Sequence, residues 1–394
     1  MKALFINYWG IQEGLTQGTS LPHLRILMAM PEVDHLWFAS LERDQWPGIV
    51  DLGPNTTHLP IRTAHGLRAK WNDFTAIPKQ LAKLAQTEGI DWIICRGAPT
   101  GAIGHLIWKR TGIPYSVESF EPHAEYMLES GVWSKLDPRY GVARYFEARQ
   151  KQSAFALMPV AEGYRQQLIK EGVPAQKVIT QPCAVPNAHF WFQAENRQKV
   201  RQQLGYPDNA VVGIYAGKFG DMYLTEEAFA LFKACFGHFG TNFWLVLLSP
   251  NPPEQIQSLI DAYSLPVEHI WYGLVSHEEV PGYLHAADFG FAPYKPSPAK
   301  RFLSPIKVGE YWAAGLPVVI TRGIGDETDI IEVQGGGCFF DPHHPEDPTL
   351  FECLQAQLAL TKATPMELAK QHRSLQRSEE AYRVAMRLGG FIQS

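Results

Sequence analysis

Two stretches of this sequence set residues of suitable type and spacing to hold an anion. The first is Gly213-Ile214-Tyr215-Ala216-Gly217-Lys218-Phe219-Gly220-Asp221, a strand that ends in a lysine flanked by glycines. Glycine permits a tight turn and close backbone approach, and a lysine at the carboxyl end of a strand points into the crevice where open α/β sheets take ligands. There Lys218 would neutralise a diphosphate leaving group. Charge grows on the phosphate as the bond to it breaks, so a fixed cation in a dry cleft favours the transition state over the ground state. Read by itself, the same stretch is an ordinary surface turn with a lysine at its tip.

The second stretch runs from Ser304 to Ile320, Ser-Pro-Ile-Lys-Val-Gly-Glu-Tyr-Trp-Ala-Ala-Gly-Leu-Pro-Val-Val-Ile. It predicts a helix with Pro305 in the first turn, where the missing N–H costs nothing, and Gly315 as the stop before a buried strand. The helix dipole and the free N–H groups of the first turn suit a diphosphate lying against Ser304, Pro305 and Ile306, and Lys307 adds a mobile positive charge. Glu310 can accept hydrogen bonds from two vicinal ribose hydroxyls. Taken alone, Lys307 and Glu310 would be solvated helix residues, the usual fate of such side chains.

These residues need a frame. A chain of 394 residues reads as two domains. Its 45% hydrophobic and 19% charged residues, with 21 Phe, 15 Tyr and 11 Trp, are those of a globular enzyme. Short β-type runs at Ala3 to Asn7, His35 to Ala39, Trp92 to Cys95 and Tyr115 to Glu118 alternate with helical patterns, which predicts βαβ units and a parallel sheet. The rhythm restarts after a turn-rich interval around Pro182 to Arg201. New strands follow at Val211 to Ala216, Phe243 to Leu248, His269 to Tyr272, Phe289 to Ala292 and Pro317 to Ile320. The expected organisation is a first α/β domain over 1–187, a second, ligand-binding domain over 188–372 and a helical tail over 373–394 that can cross back to the first domain. The charged segment from about Met366 to Arg387 reads as that terminal helix.

Composition also excludes some classes. A net charge of -5 argues against a nucleic-acid binder that relies on overall attraction to phosphate. No run approaches the ~18 apolar residues of a membrane helix, and the chain starts as a strand, so a cytoplasmic protein is expected. The five cysteines, Cys95, Cys183, Cys235, Cys338 and Cys353, are odd in number with no C-x-x-C spacing, and read as core residues.

Taken together, the motifs carry a resemblance. Gly217-Lys218 after a strand, Ala287-Asp288 leading to Ala292-Pro293-Tyr294, and Ser304-Pro305-x-Lys307-x-x-Glu310-Tyr311 with Ala314-Gly315-x-Pro317-Val318-Val319 resemble the donor-binding half of family 4 glycosyltransferases. Gly172-Val173-Pro174-Ala175-Gln176-Lys177-Val178 and Gly273-x-Val275-x-His277-x-x-Val280-Pro281 extend it. The resemblance implies the GT-B fold, two Rossmann-like α/β domains facing a cleft, and retaining transfer from a nucleotide-diphosphate sugar without a metal or other cofactor. It implies a glycan or lipid-linked acceptor. Glu310 resembles the family's ribose-binding glutamate and Lys218 its diphosphate-binding basic residue. His123, in Glu121-Pro122-His123-Ala124-Glu125-Tyr126-Met127, resembles the histidine that reaches the donor sugar. The implied mechanism is front-face transfer, in which a donor phosphate oxygen takes the acceptor's proton.

The chain departs from the family pattern in three places. The sugar-contacting glutamate eight positions before Glu310 is replaced by Phe302. No second basic residue follows Lys218, which leaves Lys307, Lys300 or Arg301 to compensate. The paired glycines of the first loop are represented by Gly14 and Gly18-Thr19, the candidates for contacts to the phosphates. Two weaker features are Arg96-Gly97-x-x-x-Gly101-x-x-Gly104, which fits an acceptor-side turn as well as an ordinary one, and the stretch Arg62 to Trp71. The latter, with His65, Arg68 and Lys70, reads as a solvated loop, and would meet an anionic lipid headgroup if the protein sits peripherally on a membrane. Two other readings remain open: a non-catalytic nucleotide-sugar-binding subunit, and a nucleotide-sugar epimerase.

Overall fold

The computed structural model describes residues 1–43, 46–66, 71–119 and 121–393. The chain divides into two compact units, one of residues 1–184, 301–304 and 375–394, the other of 185–300 and 305–374.

In the first unit six parallel strands form one sheet: β1 Lys2–Asn7, β2 His35–Glu42, β3 Thr56–Arg62, β4 Trp92–Arg96, β5 Tyr115–Glu118 and β6 Ala156–Leu157, in the order β3-β2-β1-β4-β5-β6. Side chains alternate between faces, so each strand feeds two apolar layers. Leu4 and Ile6 pack with Trp37, Ile93 and Val117 on one side. Ala3 and Phe5 pack with Phe38, Trp92 and Ile94 on the other, against Tyr382, Ala385 and Met386 of the last helix. Strand β3 escaped the sequence reading because Pro60 interrupts it. A proline is tolerated there because β3 lies at the edge of the sheet, paired only with β2.

The second unit repeats the plan with β7 Val211–Ala216, β8 Phe243–Leu248, β9 Ile270–Gly273, β10 Phe289–Ala292, β11 Val318–Ile320 and β12 Gly337–Phe339, in the order β12-β11-β10-β7-β8-β9. Counted from its own first strand, this is the strand order of the first unit. In each sheet the order reverses beside that first strand, between β1 and β4 and between β7 and β10. A crevice opens at the carboxyl ends there, which is where doubly wound sheets bind ligands.

Two expectations need correction. The terminal helix is two helices, Ala363–Arg373 and Leu375–Leu388, separated by Ser374 in extended conformation (φ -75, ψ 151). Ser374 forms a parallel bridge with Val185, which takes it out of helical geometry. The cysteines are not all unpaired core residues. Cys338 and Cys353 form a disulfide with Cα atoms 6.0 Å apart, while Cys95, Cys183 and Cys235 are buried and outside that bond. The pair is made by packing of the Pro348–Leu358 helix against β12, a tertiary contact with no local spacing signature.

Candidate functional site

The switch point of the second sheet is built around the helix Ile306–Ala313. Pro305 precedes it as the cap residue, and Gly315 ends it in the left-handed region at φ 71. Gly315 N–H donates to Trp312 O and Leu316 N–H to Tyr311 O, which satisfies the last carbonyls. The helix is anchored by Tyr311. Its hydroxyl accepts from Ala216 N–H at 2.9 Å and donates to Phe291 O at 3.2 Å, so one phenol spans β7 and β10 at their ends. Gly290 makes room for that ring: a β-carbon there would stand 2.4 Å from Tyr311 Cδ2.

Lys307 is not the mobile charge that the sequence suggested. Its side chain is 8% exposed and its Nζ lies 3.9 Å from the centre of the Tyr223 ring, 4.5 Å from Tyr215 and 5.6 Å from Tyr294. Three aromatic faces can stabilise an ammonium but cannot accept its three N–H bonds as oxygens would. The buried Nζ has no hydrogen-bond partner. Burial lowers the Lys307 pKa to about 7, with Glu310 opposing the shift. Glu310, one helical turn on, is raised to about 7 by burial, with Lys307 opposing.

The Gly217–Asp221 turn meets this helix start. A β-carbon on Gly217, whose φ is 146, would stand 2.7 Å from Lys307 Nζ, so only glycine lets the turn pass over the ammonium. Tyr215 Oη donates to Lys218 O beneath the same turn. Lys218 itself points outward, half-exposed, and forms an ion pair with Asp221. That pairing holds the Asp221 carboxyl below its usual range. The backbone of the turn and the helix start therefore lie side by side, while the Lys218 side chain is turned to Asp221. Ser304 does not join them: it is counted with the first unit, where its hydroxyl accepts from Cys183 N–H at 3.0 Å.

The comparisons with known proteins bear on both units. Residues 28–184 match the family described as Glycosyl transferase 4-like domain, and residues 213–350 match Glycosyl transferases group 1. The chain is a family 4-like glycosyltransferase. Among solved structures, HepE of Anabaena in complex with UDP aligns with a TM-score of 0.73 at 13% identity, covering 99% of this chain and 100% of that one. Sucrose-phosphate synthase from Thermosynechococcus elongatus gives 0.70 at 16%, over 99% and 98%. WaaG, a glycosyltransferase involved in lipopolysaccharide biosynthesis, gives 0.65 at 15%, over 100% of both chains. At such identities these likenesses establish the GT-B fold. TuaH, a Bacillus subtilis glycosyltransferase named for teichuronic acid biosynthesis, is 46% identical over 53 residues, a stretch spanning 14% of this chain and 13% of that protein.

In the first unit of this glycosyltransferase, His123 opens the helix His123–Glu129. Its Nδ1 lies 3.1 Å from Glu121 Oε1, and its ring stands edge-on to Trp133 at 5.5 Å. The carboxylates near it in sequence are engaged. Glu125 accepts from Tyr140 Oη at 2.8 Å, and Glu118 is buried between Arg96 and Tyr382 Oη. Gly14 and Gly18 face open space, and Thr19 donates to Leu15 O at 2.6 Å within the helical turn Thr16–Ser20. The glycine that packs tightly after β1 is Gly10, which the sequence reading passed over. A β-carbon there would stand 2.5 Å from Glu42 Oε2, and Glu42 Oε1 accepts from the next N–H, that of Ile11, at 3.0 Å. The Tyr8-Trp9-Gly10 run directly after a strand was the available signal.

Phe302, at the position of the missing glutamate, is 4% exposed in the apolar core of the first unit beside Tyr164. Gly101 and Gly104 are packing glycines: β-carbons there would stand 2.6 Å from Gln150 and 2.3 Å from Cys95 Sγ. Arg68 and Lys70 lie outside the described residues, whereas Arg62 stacks over Trp46 at 5.2 Å and Trp71 is exposed. Among the described residues no helix is long and apolar enough to cross a membrane, and no group of three or more His, Cys, Asp or Glu side chains is gathered as a metal site would need.

Proposed function

We propose that the chain moves a hexose-type sugar from a nucleotide-diphosphate sugar to a glycan or lipid-linked acceptor, with retention at the anomeric carbon and no metal. One observation carries this reading: Lys307 Nζ lies under the Gly217-Lys218 turn at the switch point between β7 and β10. Two cationic side chains and a helix start there suit a diphosphate. Glu310, on the same helix, would take the ribose hydroxyls, and Lys218 would meet the charge that develops as the nucleotide leaves. His123 is assigned to the sugar end through the family resemblance. Retention and front-face transfer likewise rest on the resemblance. A UDP complex is reported for HepE, which makes uridine the first base to test.

The test is a mass-spectrometric screen of UDP- and GDP-sugars for release of the nucleotide, alongside calorimetric binding of UDP and GDP. Binding accompanied by release from at least one donor is the expected result. A second reading, a non-catalytic nucleotide-sugar-binding subunit, is favoured by the loss of the glutamate at position 302 to the core. Tight nucleotide binding with no release from any donor, with or without acceptors, would establish that reading instead. Peripheral association with a membrane through the Arg62 to Trp71 stretch is a further part of the proposal, checked by sedimentation with anionic vesicles.

A further inference from the structure

Resting on the donor reading above, we infer that Lys307 is the second cation of the diphosphate site and that a ligand phosphate oxygen supplies the acceptor its ammonium lacks. The family pattern calls for two basic residues, and the turn after β7 provides only Lys218. Of the three side chains able to compensate, Arg301 is held elsewhere, donating to Gln167 and stacking on Phe302 at 4.5 Å. Lys300 is 4% exposed and belongs to the short helical turn Pro298–Phe302, not to the helix whose start meets Gly217. Only Lys307 combines a position in the first turn of the Ile306–Ala313 helix with a buried, unpartnered Nζ set against Gly217.

The physical argument is one of unmet demand. A buried ammonium that makes no hydrogen bond weakens the fold, because it has left water without a replacement acceptor. The cavity between Tyr215, Tyr223 and Tyr294 would hold a methionine of similar length at no such cost. Destabilising groups of this kind persist at sites where a ligand completes them. The N–H groups of Ile306 and Lys307 belong to the first turn, which a helix leaves without intrahelical partners, and such donors add to the attraction of an anion at the helix start. Lys218 differs in kind. It is exposed and already paired with Asp221, so it can exchange one partner for another, whereas Lys307 has none to give up.

Lys307→Met is the decisive variant, read by the affinities of UDP, UMP and uridine, with the guanosine series in parallel, and by the melting midpoint of the ligand-free protein. The expected result is a midpoint equal to or above that of wild type, a roughly 10- to 100-fold loss of UDP affinity, and uridine affinity within about twofold of wild type. Lys307→Arg is expected to recover part of the UDP affinity. A Lys307→Met protein that binds UDP as wild type does, or loses UDP and uridine alike, overturns the inference and leaves the donor reading intact. Wild type that binds neither UDP nor GDP overturns the donor reading itself.

A second measurement needs no variant. Calorimetry of wild type at pH 8.5 in buffers of different ionisation enthalpy should record proton uptake on binding UDP and none on binding uridine, since a phosphate recharges Lys307. The other groups facing that ammonium do not compete: Tyr215, Tyr223, Tyr294 and Tyr311 are held protonated by burial, and Glu310 is already ionised at that pH. UDP binding without proton uptake counts against the inference.

Discussion

The two sheets share one strand order, and each turns its order around beside its first strand, yet the two switch points are filled in opposite ways. In the first unit Asn7 and Arg96 end adjacent strands, and each has buried polar side chains as partners. Asn7 donates to Thr16 Oγ1 at 2.8 Å and accepts from Ser20 Oγ at 2.9 Å. Arg96 is ion-paired with Glu118, which also accepts from Tyr382 Oη, and His23 Nδ1 lies 2.9 Å from that hydroxyl. In the second unit the buried cation has aromatic faces around it and no acceptor. Topology decides where a crevice forms. Whether the buried cation there already has a carboxylate partner decides whether the site is complete in itself or left in need of an anion.

The largest expected effect tests the closed side. Arg96→Met leaves Glu118 buried without its counter-ion, and urea unfolding should show a loss of about 3 to 5 kcal/mol. Stability equal to wild type would erase the contrast between the units, since Lys307→Met is expected to cost nothing. Next comes the exposed cation of the open side. Lys218→Ala should keep the unfolding midpoint, because its ion pair with Asp221 stands in solvent, while donor turnover falls roughly 100- to 1,000-fold. Unchanged turnover would remove Lys218 from the mechanism.

The smallest effect sharpens the comparison through pH. The pKa of Lys307 is lowered from 10.5 to about 7 on folding, so between those values the unfolded chain binds the extra proton. Stability from this residue therefore rises as pH increases through that window. Below about pH 7 lysine is charged in both states, and the cost of its burial is complete. Any melting advantage of Lys307→Met over wild type should accordingly be greatest near pH 7 and shrink towards pH 10. An advantage that grows across this range would contradict the assignment. Glu310, raised to about 7, titrates at the lower edge of the window and is ionised above it, so it does not reverse the sign.

Much of the frame was legible because parallel strands buried on both faces appear as short apolar runs, and nine of them announced themselves in this way. The three that did not have local causes. Strand β3 carries Pro60 at a sheet edge, β6 is two residues long and β12 is three. Within the candidate site, Lys218, Lys307 and Glu310 were visible from glycine and proline punctuation. The environment of Lys307 was not, since Tyr215, Tyr223 and Tyr294 come from three separate segments that only the folded sheet gathers. The same holds for Gly10 against Glu42 and for Cys338 with Cys353, whose partners are brought near by packing rather than by spacing.

Phe302 limits what redesign can do. Grafting a glutamate back at that position would insert a carboxylate among Tyr164 and the other apolar side chains of the first unit's interior, where an unpaired charge is heavily penalised. The substitution is thus blocked by folding, whatever it would do for chemistry. Any lineage or library seeking a new acidic contact would have to find it on another scaffold position.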